Sequence, residues 1–171
     1  KSSLPEEVQL LTLKEAVQNQ PSLVAKAIER SREIFSDAFT SLNEALLAEG
    51  LVIHIPDSIR LEQQIHLHYM SSGSAKSGFP RVMIQLGKNA RANICEHFYH
   101  STSSTQGSQE SRPTEIREVL NCSVTDIHLE DHAQLSHSRF FSSSTLCDDH
   151  HLHYTRINLE EKSNCESVIV S

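Results

Sequence analysis

The spacing of apolar positions changes once along this chain, and the change divides it. Residues 4–11 (LPEEVQLL) read as an extended lead-in. Residues 12–19 (TLKEAVQN) predict a short helix, with Thr12 as N-cap and Glu15 at the capping-box position. Pro21 opens a second helical piece, whose Leu23, Val24, Ala27, Ile28 and Phe35 fall on one face. A third helix is expected from about Asp37 to Glu49, with Phe39, Leu42, Ala45, Leu46 and Leu47 as its apolar face and Gly50 at its C-cap. After Gly50 the period falls to two. Leu51–Ile55 is a strand that Pro56-Asp57 ends, and the alternation continues to Ser171. The predicted organisation is a helical lead-in over 1–49 and a strand-rich core over 50–171. Residues 101–114 (STSSTQGSQESRPT), which contain no apolar residue, form an exposed polar loop within the core.

The strand region repeats itself. Ile55-Pro-Asp-Ser-Ile59-Arg-Leu61, Leu86-Gly-Lys-Asn-Ala90-Arg-Ala92 and Leu129-Glu-Asp-His-Ala133-Gln-Leu135 share one template, and Leu159-Glu-Glu-Lys-Ser163-Asn-Cys165 follows it more loosely. Each has an aliphatic anchor, a polar turn, then small or apolar residues at alternate positions. The anchors 55, 86, 129 and 159 are 31, 43 and 30 residues apart, and the long interval contains the polar loop. A strand-rich unit of about 30 residues with a fixed turn predicts a β-solenoid, each circuit laid on the one before. Ile59, Leu61, Ile65, Leu67 and Tyr69 would point inward, with Gln63 as an exception. Ala90, Ala92, Ile94 and Phe98 would line the next circuit.

Candidate chemistry is sparse. The tetrapeptide HLHY occurs at His66–Tyr69 and again at His151–Tyr154, in a chain with 11 histidines. His66 and His68 share a face with Arg60, Glu62 and Gln64, so they are expected on a solvent-facing polar ladder, although histidines at i and i+2 could hold a metal. The second pair lies in a ligand-rich octapeptide, Cys147-Asp-Asp-His-His-Leu-His-Tyr154, where Cys147, His151 and His153 are weak metal candidates. Leu152 and Tyr154 suggest one phase there and Ile157 and Leu159 the other, which predicts a bend or bulge. The two HLHY segments hold different phases of the repeat and are not expected to form one site. Cys95 and His97 share a strand face. A Cys–His nucleophile pair is conceivable there, but the expected reading is an outward polar residue beside a small apolar one.

Composition narrows the function classes. A formal charge of −7 without a Lys/Arg cluster argues against nucleic acid as partner. The four cysteines, Cys95, Cys122, Cys147 and Cys165, contain no C-x-x-C pair, and are expected to stay reduced in a cytosol-like compartment. No apolar run reaches membrane-spanning length, so no membrane partner is expected. Neither a phosphate-binding G-x-x-x-x-G-K-[ST] loop nor G-x-G-x-x-G occurs, so the chain is not expected to be an NTPase of a known motif class. Catalytic and cofactor-binding residues are predicted to be none. A chain that starts at Lys1 and stops in Ser-Val-Ile-Val-Ser171 is expected to be a fragment of a longer protein.

Three stretches resemble the SufB/SufD family of iron–sulfur cluster assembly proteins. Phe39-Thr-Ser-Leu-Asn-Glu-Ala-Leu-Leu-Ala-Glu-Gly50-Leu-Val-Ile-His-Ile-Pro56 is similar to the family's helix–Gly–strand–Pro lead into the core. Ala92-Asn-Ile-Cys-Glu96-His97-Phe98 is similar to the E-H-F strand of the SufD branch, and Ile157–Ser171 ends where relatives continue into a Gly-Gly turn. The resemblance, over roughly residues 8–171, implies a right-handed parallel β-helix and a non-catalytic scaffold subunit. It implies a SufB-like partner and a SufC-like ABC-type ATPase, with a homodimer as a further possibility. A transient iron–sulfur cluster would belong to the full complex and none to this stretch, and the location would be cytoplasmic, or the plastid stroma in a plant or alga. The family's cluster-associated histidine, its inter-subunit strands and its ATPase-binding helices would lie beyond Ser171, so no functional residue is carried over. Two other classes are weighed: a metal-binding β-rich module built on Cys147, His151 and His153, and a β-helix enzyme acting on acidic polysaccharide. The latter would need secretion and a basic groove that the sequence does not offer.

Overall fold

The computed structural model describes residues 4–34, 37–47, 49–72, 78–101, 119–142 and 149–170. It is mainly β, with short helices before the sheets. From Gly50 onward the strands alternate between two sheets. β2 (Gly50–Ile55), β4 (Arg81–Leu86), β6 (Val119–Leu129) and β8 (Asp149–Leu159) form one sheet in that order. β3 (Ile65–Ser72), β5 (Arg91–Ser101), β7 (Gln134–Ser142) and β9 (Asn164–Val170) form the other. All six pairings between these strands are parallel. The lead-in contributes β1 (Gln9–Thr12), which pairs antiparallel with β2 and covers its free edge.

The register ties this arrangement to the repeat. Ile55 pairs with Leu86, Leu86 with Leu129, and Leu129 with Leu159, so the four anchors stand in one row. Three residues beyond each anchor the backbone turns left-handed, at Ser58, Asn89, His132 and Lys162, with φ of 64°, 58°, 61° and 56°. Each such residue is the third of a four-residue turn closed by a backbone bond, as in Ala90 N–H to Gly87 O at 3.1 Å and Ala133 N–H to Glu130 O at 3.0 Å. Successive turns bond to one another: Ser58 N–H donates to Lys88 O, Asn89 N–H to Asp131 O, and His132 N–H to Glu161 O. Gly87 is required because the Asp57 carboxylate folds over it to accept from Lys88 N–H. A Cβ at Gly87 would lie 2.2 Å from Asp57 Oδ1.

The main core lies between the sheets beside these corners. It contains Ile53, Ile55, Leu61, Ile65, Val82, Ile84, Leu86, Ile94, Ile127, Leu129 and Leu135, with Ala90, Ala92 and Ala133 where the corner leaves little room. Ile59, Leu67 and Tyr69 pack against it, so the inward phase expected from the sequence is the observed one.

A second core forms outside the first sheet. α1 (Leu13–Asn19) is capped as its sequence predicts: Glu15 N–H donates to Thr12 Oγ1, and Thr12 N–H donates to Glu15 Oε2. Its Ala16, with Val24 and Ala27 of α2 (Pro21–Ile34), buries against Val52 and Met83. Phe35 lies outside the described residues. This cover explains why every residue of β4 is buried. It also encloses an ion-pair cluster on the sheet's outer face, in which Asp126 accepts from Arg81 Nε at 2.7 Å and from Arg156 Nε at 2.6 Å.

Two expectations are corrected. α3 spans Ala38–Ala45 and is capped by Leu46, and Gly50 opens β2 instead of closing the helix. Its buried residues are Thr40 and Asn43, while Phe39, Leu42 and Leu46 are exposed. The reason is polar: Asn43 Nδ2 donates to Pro80 O at 3.2 Å and to Cys122 O at 2.8 Å, so the helix turns its amide toward the sheet. The bulge expected near Tyr154 is absent, since β8 pairs with β6 residue for residue from Val119↔Asp149 to Leu129↔Leu159.

Candidate functional site

Strand alternation sends neighbouring residues of β5 to opposite sides of the second sheet. Glu96 shares the inward phase of Ala92, Ile94 and Phe98, and it is 1% exposed. Four side chains from three neighbouring strands meet its carboxylate. Tyr69 OH of β3 donates to Oε2 at 3.0 Å, and Thr125 Oγ1 of β6 donates to Oε1 at 3.0 Å. From β7, Arg139 Nη2 donates to Oε1 at 3.0 Å, and His137 Nε2 lies 2.7 Å from the same oxygen. An ionised carboxylate only accepts, so His137 carries a proton on Nε2, and its Nδ1 lies 3.1 Å from Ser167 Oγ of β9. Arg139 also donates to Thr125 Oγ1 at 2.5 Å and lies over the Phe98 ring.

Burial alone would push the Glu96 carboxyl up. The hydrogen bonds and positive charge of His137 and Arg139 outweigh it and hold the group down at about 2. Tyr69 is pushed far up, by burial and then by the Glu96 charge. A carboxylate so enclosed and so acidic has no path to exchange a proton with a substrate in solvent. The cluster is a buried polar node that joins four strands.

Beside it, His153 of β8 faces inward with Thr155, Ile157 and Leu159. Its Nδ1 meets Ser123 Oγ, and its ring packs on Phe98 and Phe141. Burial first, then the Arg139 and His151 charges, push its imidazole down to about 3, so it is neutral at pH 7. His151 is exposed on the same strand face, 5.6 Å from His153 between ring centroids. Cys147 lies outside the described residues. Of the candidate trio, only His151 and His153 can be placed together, and His153 is engaged with Ser123 and two phenylalanine rings.

The other face of β5 carries Cys95 and His97, and the register sets them beside the first HLHY segment: His66 pairs with Cys95 and His68 with His97. His66 and His68 are exposed, as expected for the outward phase. The histidine rings stack, His68 on His97 at 4.8 Å between centroids and His97 on Phe140 at 5.5 Å. Cys95 Sγ and His66 Nδ1 each lie 3.0 Å from His97 Nε2. Desolvation, then the neighbouring His68 and His66, lower the His97 imidazole from its ordinary value. His66, Cys95 and His97 form the group of potential metal ligands found among the described residues. No helix among those residues is long and apolar enough to cross a membrane.

Comparison with known proteins gives two findings. Residues 1–67 match the family model described as the SufBD protein N-terminal region. Over 106 residues the chain is 24% identical to an iron–sulfur cluster assembly SufBD family protein of Synechocystis sp. (strain ATCC 27184 / PCC 6803 / Kazusa), a stretch that is 61% of this chain and 22% of that relative. The chain thus spans about a fifth of the curated relative it matches. Both findings make this chain similar to SufBD family proteins over the stretches matched.

Proposed function

We propose that this chain is the front part of a SufBD-type iron–sulfur cluster assembly protein, working as a non-catalytic scaffold of the SufD-like branch. The observation that carries the reading is the match of residues 1–67 to the SufBD N-terminal region, running directly into strands that alternate between two parallel sheets. On this reading the two sheets are consecutive walls of a right-handed parallel β-helix. The row Ile55–Leu86–Leu129–Leu159 marks one corner of four circuits. A coil with its polar groups tied inward, as at Glu96, offers rigidity and flat outer faces and no reaction centre. The partners of the whole protein are a SufB-like subunit and a SufC-like ABC-type ATPase. The iron–sulfur cluster is their product, built on the complex.

Affinity purification of the full-length protein from its native host tests this. Recovery of an ABC-type ATPase and a second SufBD-type subunit, with loss of iron–sulfur enzyme activities when the protein is depleted, is the expected result. Recovery of neither partner, with those activities unchanged, overturns it.

A further inference from the structure

We propose that His66, Cys95 and His97, on the outer face of the second sheet, form a binding site for one zinc-type divalent transition-metal ion. The inference does not rest on the proposed scaffold role. It begins with an over-committed atom. His97 Nε2 is approached at 3.0 Å by both His66 Nδ1 and Cys95 Sγ. A neutral imidazole nitrogen has one hydrogen or one lone pair, and serves one neighbour well. A cation among the three atoms would engage all of them through lone pairs.

The geometry is close to what such an ion requires. All three donor atoms lie within 4.8 Å of one another. Zinc–nitrogen bonds of about 2.0 Å and zinc–sulfur bonds of about 2.3 Å set tetrahedral ligand atoms about 3.5 Å apart. Opening the two 3.0 Å separations from His97 Nε2 to that spacing takes small rotations of the His66 and His97 side chains. The backbone beneath is fixed, because His66 and Cys95 are direct partners in a parallel ladder and His97 is the next outward residue on the same strand. Cys95 is 2% exposed while His66 is exposed, so the ion would sit with its sulfur side against the sheet and its fourth position toward solvent. One thiolate and two imidazoles select a borderline metal, and with no carboxylate in the set calcium and magnesium are disfavoured.

The test uses the full chain carrying Cys147→Ser, which removes the thiol of the Cys147–His153 segment from competition. Cobalt(II) titration should give a near-ultraviolet thiolate charge-transfer band with visible bands of tetrahedral strength, saturating at one ion per chain and abolished by added zinc. The band should disappear in Cys95→Ser and persist in Cys165→Ser and His151→Ala. His66→Ala should weaken cobalt binding by about tenfold or more. Absence of the band in the Cys147→Ser chain, or its survival in Cys95→Ser, overturns the proposal. Should circular dichroism show Cys95→Ser unfolded, the exposed His66→Ala decides, and unchanged cobalt affinity there overturns it equally.

Discussion

The two ends of the space between the sheets are built from opposite materials. Beside the corners, Ile55, Leu86 and Leu129 stack with Ala90 and Ala133. Toward the other end the same inward phase presents Glu96, Thr125, His137, Arg139 and His153. The backbone ladder continues through both. The difference shows that stacked parallel strands fix where a side chain points and leave open what it is. The apolar end gains from area removed from water. The polar end holds together only while each charge keeps its partner.

The largest effect should come from breaking that partnership. Glu96→Ala strands Arg139 and His137 in the interior and is expected to cost about 3–5 kcal/mol, measured by urea unfolding. Replacing Glu96, His137 and Arg139 together by leucine or methionine should recover most of the loss. A triple variant no more stable than the single one would mean that packing, not charge, dominates this end. Leu86→Ala at the apolar end should cost about 3 kcal/mol through the cavity it leaves, by the same measurement. That loss should be independent of pH.

Acid should separate the ends more finely. His153 is depressed from 6.5 to about 3, so between those values the unfolded chain binds a proton that the folded chain refuses. Its contribution is present above pH 6.5 and is lost as pH falls toward 3. Glu96 is depressed from 4.5 to about 2, so its contribution is present above 4.5 and is lost between there and 2. Stability should therefore decline in two overlapping stages. His153→Gln should flatten the upper one while leaving the lower intact, as read from unfolding midpoints at stepped pH. The smallest effect is at a corner. Lys162→Gly relieves a left-handed φ of 56° but loosens the unfolded chain, and should stabilise by about 0.5 kcal/mol.

The sequence revealed the rows of parallel strands better than what lies between them. The anchors at 55, 86, 129 and 159 were legible because corner chemistry recurs: an aliphatic residue, a polar turn, a small residue. The polar node was not, because polar residues at inward positions read as exceptions. Parity was the available signal: Ala92, Ile94 and Phe98 enclose position 96, and Leu135 and Phe141 enclose positions 137 and 139. The same habit produced the supposed bulge in β8. Leu152 and Tyr154 face outward, where Tyr154 stacks on Phe39, while His153 and Thr155 face inward, so the hydropathy pattern shifts phase although the strand does not. The orientation of α3 depended on two backbone carbonyls, of Pro80 and Cys122, that no local pattern displays. The grouping of His66 with Cys95 and His97 required the register between β3 and β5, which sequence spacing alone leaves free.

The interval from Leu86 to Leu129 is 43 residues where its neighbours are 31 and 30, yet the two leucines face each other directly. Each left-handed corner thus restarts the count, so a longer interval between two anchors leaves the rows on either side in step. A lineage of such proteins could lengthen or recode the sequence between β5 and β6 while every buried row kept its alignment.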